Sequence, residues 1–152
     1  MSKNATPFRL HLTAILSLFV SIISFGQEAE EVTFEHEGLT VFGTFLKPAA
    51  EGPYETLIIG PGSGANDRDG TLTLTGPNAE CLYPDLEGNT LTPYKDLAEA
   101  LADSGFAVLR YDKLEYTYTT ELEPITFAKL WLPINSAIDY LQSRDDVDPN
   151  TI

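Results

Sequence analysis

Residues 60–70, Gly-Pro-Gly-Ser-Gly-Ala-Asn-Asp-Arg-Asp-Gly, hold the densest set of groups in this chain that could do chemistry. Gly60, Gly62 and Gly64 alternate with larger residues, and Asp67, Arg68 and Asp69 follow side by side. Glycine lets a backbone approach a ligand closely and adopt dihedrals closed to other residues. Three chemistries want such a turn. A phosphate cradle needs G-x-G-x-x-G or G-x-x-x-x-G-K-[ST] opening directly into a helix. Ala65 breaks the first pattern, and no lysine follows Gly64 for the second. A calcium loop with Asp69 in its fifth place and Gly70 in its sixth would put Ala65 at the first ligand and Gly76 at the twelfth, so the pattern fails at both ends. A looser calcium site at Asp67 and Asp69 stays open. The third chemistry is an oxyanion hole, in which main-chain N–H groups point at a developing negative charge. Against all three stands a solvated surface turn in which Arg68 bridges loops.

The elements around the turn say where it sits. "EVTFEHEGLTVFGTFLKP", Glu31 to Pro48, alternates apolar and polar residues about an "EGL" turn, as a hairpin does. "TLIIGPG", Thr56 to Gly62, is continuously apolar, the pattern of a strand buried on both faces of a parallel sheet. A turn-rich segment from Ser63 to Thr92 follows, long for a loop, and such loops are functional or disordered. In "TPYKDLAEALADSGF", Thr92 suits a helix cap, Pro93 its first turn, Leu97, Ala98, Leu101 and Ala102 an apolar stripe, and Gly105 its end. "AVLRYD", Ala107 to Asp112, is a further strand. Phe127 to Arg144 has helical spacing at Leu130, Ile134, Ala137, Ile138 and Leu141, with Pro133 expected to kink it or mark its start. "DDVDPNTI" leads towards another strand. Strands alternating with helices predict an α/β fold with a mostly parallel sheet, and ligands of such sheets sit beyond the carboxyl ends of the strands.

"LIIGPGSGANDRDG" followed by "LAEALADSGFAVLRYDK" resembles the N-terminal half of bacterial exported α/β-hydrolases of the GSGxxDRDG…RYDK type. The resemblance covers Glu31 to Ile152. It implies helices on both faces of the sheet, with the fourth strand lying between the second and third. It implies a serine hydrolase of ester or peptide-like bonds, with no cofactor and no metal. On this reading Ser63 and Gly64 supply main-chain N–H groups to an oxyanion hole, and Gly62, Asp67, Arg68 and Asp69 form the site loop. Two departures stand out. Relatives often carry His-Gly where this chain has Pro61-Gly62, and an Arg-Gly-x-Gly-x-Ser turn where this chain has "LEYTYTTELEP". The latter puts Tyr116 and Tyr118, with Tyr111, in a position to reshape the site.

The chemistry of that fold needs a serine on G-x-S-x-G, then an acid, then a histidine. None of that triad is in this chain. Ser63 lacks the flanking glycines at the required spacing, and neither His11 nor His36 follows a nucleophile. His36 is expected at the surface of a turn, and Asp112 is expected to pair with Arg110 or Lys113. The chain therefore reads as an incomplete domain, residues 27–152, truncated before the nucleophile elbow and inactive alone. The alternative is a small acidic exported binding module without catalytic activity.

Lys3 and Arg9, the apolar run Leu12 to Phe25 and the small residue Gly26 have the layout of a secretory signal peptide over residues 1–26. The run is short for a membrane span, so the expectation is a periplasmic or secreted protein with no span after signal removal. A net charge of −14 disfavours nucleic acid as a partner. Cys81, the single cysteine, is a solitary thiol or has a partner elsewhere.

Overall fold

The computed structural model describes residues 26–64, 66–82, 84–118 and 127–152. The segment up to Phe25, expected to be a signal peptide, lies outside them. A mixed sheet runs in the order β1-β2-β6-β3, formed by β1 (Glu28–His36), β2 (Leu39–Lys47), β3 (Thr56–Ile59) and β6 (Ala107–Tyr111). β1 and β2 pair antiparallel, as do β2 and β6, while β3 and β6 are parallel. The expectation of a mostly parallel sheet is therefore corrected: the N-terminal hairpin joins it by antiparallel pairing. That hairpin begins at Glu28, not Glu31, and turns on two residues, Glu37 and Gly38, both with positive φ (48° and 78°). This is the backbone twist that a two-residue hairpin favours.

Alternation sorts the sheet into two faces. Val32, Phe34, Val41, Phe45, Leu109 and Tyr111 pack with Ala137 and Leu141 of helix α4 (Phe127–Gln142). Leu46 and Val108 pack with Ala98 and Ala102 of helix α2 (Pro93–Asp103) on the other face. The two helices thus cover opposite faces. β6 is the central strand, buried at all five positions. Fully buried Phe45 and Leu109 each contribute on the order of 1.5–3 kcal/mol by leaving water.

The helix ends follow local chemistry. Ser104 and Gly105 close α2: Gly105 has φ +99°, its N–H donates to the Ala102 carbonyl, and the Phe106 N–H donates to that of Leu101. This doubled bond pattern is the glycine-dependent stop that the sequence suggests. Thr92 is the N-cap, but its hydroxyl donates to the Asp96 carboxylate (3.1 Å) and accepts no bond from the first-turn N–H groups. Leu97, expected on the apolar stripe, is half exposed. One short turn of helix, α3 (Leu114–Thr117), follows β6, and Pro133 lies inside α4.

The segment from Ser63 to Thr92 is not structureless. β4 (Leu72–Thr73) pairs antiparallel with β5 (Thr90–Leu91), and between them lie a short helix α1 (Pro77–Leu82) and one 3₁₀ turn at Pro84–Leu86. Cys81 is exposed there and forms no disulfide among the described residues. β3 is less buried than its continuous apolar run implies. Thr56 is buried, Leu57 is 37% exposed, and Ile58 and Ile59 are half-buried. On its outer side, among the described residues, the chain returns at the amino end of the strand alone, with a parallel bridge between Tyr54 and Val147 and a bond from the Thr56 N–H to the Thr151 carbonyl (3.0 Å).

Candidate functional site

Because β3 and β6 run parallel and adjacent, the glycine turn after Ile59 and the Asp112–Lys113 pair after Tyr111 leave the sheet side by side, at its carboxyl end. The two ends are interlocked. Arg68 Nε and Nη2 donate to Asp112 Oδ1 and Oδ2 at 3.1 and 2.8 Å, and the Arg68 main-chain N–H donates to Oδ1 at 2.8 Å. Arg68 Nη1 reaches Glu31 Oε2 at 2.7 Å and the Thr44 hydroxyl at 3.2 Å. Arg110 is ion-paired with Asp69. Lys113 Nζ donates to the Gly64 carbonyl at 2.8 Å and meets Glu115 at 2.7 Å. So the partner of Asp112 is Arg68, and not Arg110 or Lys113 as expected; those two reach back to Asp69 and to the glycine turn. The aspartate–arginine–aspartate cluster and the arginine–tyrosine–aspartate–lysine run are two halves of one lattice of charge-assisted bonds.

Burial works against the charge of Arg68, but its bonds to Asp112 and then its attraction to Glu31 outweigh this and raise its basicity further. Asp67 is likewise opposed by burial. The Thr71 hydroxyl and the N–H groups of Thr71, Asp69 and Gly70 prevail and hold its carboxyl below the usual range. The Thr71 N–H donates to Asp67 Oδ1 at 2.8 Å and the Gly70 N–H to the Asp67 carbonyl at 3.1 Å, so Asp67 shapes the bend that carries Arg68 and Asp69. Among the described residues no cluster of three or more histidine, cysteine or carboxylate groups is placed to hold a metal.

A cavity of about 520 Å³ opens over this lattice, lined among others by Glu31, Thr44, Lys95, Arg110 and Tyr116. Most charged groups facing it are already paired with one another. Arg110 is 5% exposed, and its Nε has no partner among the described residues.

Tyr94, which sequence reasoning missed, explains two of the glycines. A Cβ on Gly62 would lie 2.5 Å from the Tyr94 hydroxyl oxygen, and one on Gly70 would lie 2.8 Å from its ring. Gly62 is thus bare to admit a tyrosine, where the sequence reading had it bare to admit a ligand. Gly64 is different: its φ of +84° is the left-handed region, and its Cβ would meet nothing closer than 3.8 Å. Its glycine is a requirement of the turn's backbone. Ser63 and Gly64 follow directly, and their N–H groups have no acceptor among the described residues.

Three other expectations change. His36 is buried, 7% exposed, with Nδ1 3.0 Å from the Ser136 hydroxyl. This pair pins the end of β1 to α4. In a catalytic triad the serine faces Nε2 and an acid holds Nδ1, so the arrangement is a packing contact. Tyr111 is 3% exposed, edge-on to Phe34 with centroids 5.6 Å apart, and burial pushes its hydroxyl up to about 12. It belongs to the core and does not reshape a site. The Tyr118 hydroxyl donates to the Thr40 carbonyl at 3.0 Å, leaving Tyr116, 48% exposed, as the loop aromatic that faces the cavity.

No family model matches this chain. Esterase EstD of Thermotoga maritima is 31% identical to it over 121 residues, which cover 76% of this chain and 25% of that protein. The chain thus spans about a quarter of the length of the curated relative it matches. No helix among the described residues is long and apolar enough to cross a membrane. A mixed sheet flanked by helices and this similarity together make the chain a distant homologue of a hydrolase.

Proposed function

We propose that this chain is the N-terminal part of an exported serine hydrolase acting on carboxylic esters, with peptide-like bonds as the second substrate class. The observation that carries this reading is the place of the Ser63–Gly64 turn. It stands at the carboxyl end of the parallel pair β3 and β6, tied down by Arg68–Asp112 and Lys113–Gly64. A serine attacking an ester carbonyl creates a tetrahedral intermediate with negative charge on the former carbonyl oxygen. Main-chain N–H groups held in advance stabilise that charge without reorganising, and losing one such donor lowers turnover roughly 10²–10³-fold in well-studied cases. Ser63 and Gly64 supply part of that hole. The nucleophile, acid and histidine come from the remainder of the full-length polypeptide. The similarity to an esterase about four times the matched length supports such a division. Residues 1–26 act as the export signal, and the protein works in the periplasm or outside the cell.

The test is hydrolysis of p-nitrophenyl acetate and butyrate by the full-length polypeptide, beside p-nitroanilide peptides. Ester turnover exceeding peptide turnover is expected. Absence of both, with retained binding of a small ligand, would replace this reading with that of an acidic binding module.

A further inference from the structure

Three cations meet the glycine turn and its acidic cluster, and they are used differently. Arg68 and Arg110 are paired with the carboxylates of Asp112 and Asp69. Lys113 instead spends a bond on main chain: its ammonium, on a side chain only 7% exposed, donates to the Gly64 carbonyl at 2.8 Å, with Glu115 at 2.7 Å as counter-ion. The Lys113 N–H also donates to the Asn66 carbonyl (3.2 Å), and the Asn66 amide donates to the Ser63 carbonyl. The carbonyls of Ser63, Gly64 and Asn66 are therefore all drawn to partners within the fold. Burying an ammonium is costly, and a well-packed apolar side chain of similar length would serve stability as well or better. What an apolar side chain cannot do is hold a carbonyl. The Gly64 N–H shares a peptide plane with the Ser63 carbonyl, which the Asn66 amide holds, and Lys113 anchors the next carbonyl, that of left-handed Gly64 (φ +84°). The N–H groups of Ser63 and Gly64 are left without an acceptor among the described residues.

From this geometry we infer that Lys113 is a positioning residue for the oxyanion-binding turn. Through the carbonyls of Gly64 and Asn66, whose own amide holds the Ser63 carbonyl, it anchors the turn so that the Ser63 and Gly64 N–H groups face the reacting oxygen. This rests on the hydrolase reading above. Misplacing such donors by an ångström lowers turnover by roughly a hundredfold.

The test uses the full-length polypeptide, a p-nitrophenyl ester and a trifluoromethyl ketone that mimics the tetrahedral intermediate. Lys113→Met should lower kcat by roughly 10- to 100-fold, leave KM within about threefold, and weaken ketone binding in parallel with kcat/KM. Lys113→Arg, which keeps a donor, should recover part of the loss. If Lys113→Met does not fold, Lys113→Gln replaces it, since its shorter amide does not span to the Gly64 carbonyl. An active wild type with Lys113→Met (or Lys113→Gln) at wild-type kcat would overturn this inference alone. So would a loss of activity that follows only the thermal midpoint, with ketone affinity unchanged. A wild type that hydrolyses nothing would overturn the hydrolase reading and this inference together.

Discussion

Arg68 and Asp112 meet in a two-point ion pair, with Nε–Oδ1 at 3.1 Å and Nη2–Oδ2 at 2.8 Å, and the Arg68 main-chain N–H adds a third bond to the same carboxylate. They are 44 positions apart in the chain. The pair joins the loop after β3 to the end of β6. A planar guanidinium matches a carboxylate in a way that a lysine ammonium does not. Removing one partner of a largely buried pair leaves the other charge uncompensated, which costs roughly 3–5 kcal/mol. Arg68→Met and Asp112→Asn should each destabilise by that order, Arg68→Lys by somewhat less, and the double variant by clearly less than the sum. Denaturant unfolding of the full-length polypeptide measures this. Additive single effects would mean that the two residues are not coupled.

Gly62 and Tyr94 give a second coupled pair. Gly62→Ala places a methyl 2.5 Å from the Tyr94 hydroxyl oxygen, so one of them must move. Overpacking of this kind costs typically about 1–3 kcal/mol. Adding Tyr94→Ala to Gly62→Ala should relieve that strain, leaving the double variant close to Tyr94→Ala alone. Ser63→Ala keeps its N–H and should retain turnover within a few-fold. Thermal midpoints and ester turnover report both. A Gly62→Ala defect that persists in the double variant would mean that Gly62 is bare for some other neighbour.

The response to pH follows from two groups of residues. On the opposite face of the sheet, over the Phe45 ring, Arg144 donates to both Glu30 and Asp146. Those bonds hold the two carboxyls below their ordinary values of 4.5 and 3.8. The stability they add is present above those values and is lost as pH falls through the lower folded-state values. Glu30→Gln should therefore flatten the fall in the urea midpoint between pH 5 and about pH 2–3. Tyr111 sets the alkaline side: burial raises it from 10.0 to about 12. Its neutral form is favoured in the fold, so stability is intact below pH 10 and drains as pH rises through about 12, by on the order of 2–3 kcal/mol. Tyr111→Phe should abolish that alkaline loss. Equal slopes in wild type and variants would contradict the assignment.

β3 presents an apolar outer edge, with Leu57 37% exposed and pairing on that side, among the described residues, confined to Tyr54 and Thr56. Open, apolar strand edges invite association. Residues 27–152 expressed alone should bind a hydrophobic dye and self-associate in sedimentation. A monomer that unfolds in one sharp transition would instead favour the binding module.

Much of the scaffold was legible because it rests on local chemistry. The alternation of Val32 and Phe34, the helical spacing of Ala98 and Ala102, and the stop at Gly105 each state their own structure. The glycine turn and the charged cluster were also legible as a unit. Their wiring was not. Arg68 could have met any nearby acid, and only the parallel register of β3 on β6 selects Asp112. His36 was misjudged because its partner Ser136 is 100 positions away. Tyr94 was invisible because bare positions at Gly62 and Gly70 announce that something comes close, but not what. The structure within 63–92 was missed because β4 and β5 are two residues each, too short for any alternation to register.

The most direct measurement is the position at which a fluorophosphonate probe attaches to the full-length polypeptide. Such a probe is attacked by an activated serine and stays covalently bound to its oxygen. The account predicts one adduct, on a serine of a G-x-S-x-G segment C-terminal to Ile152, with Ser63, Ser104, Ser136 and Ser143 unlabelled. It further predicts that Lys113→Met slows labelling while Ser63→Ala does not. An adduct on Ser63 or Ser136, or a full-length polypeptide that no fluorophosphonate labels, would contradict it.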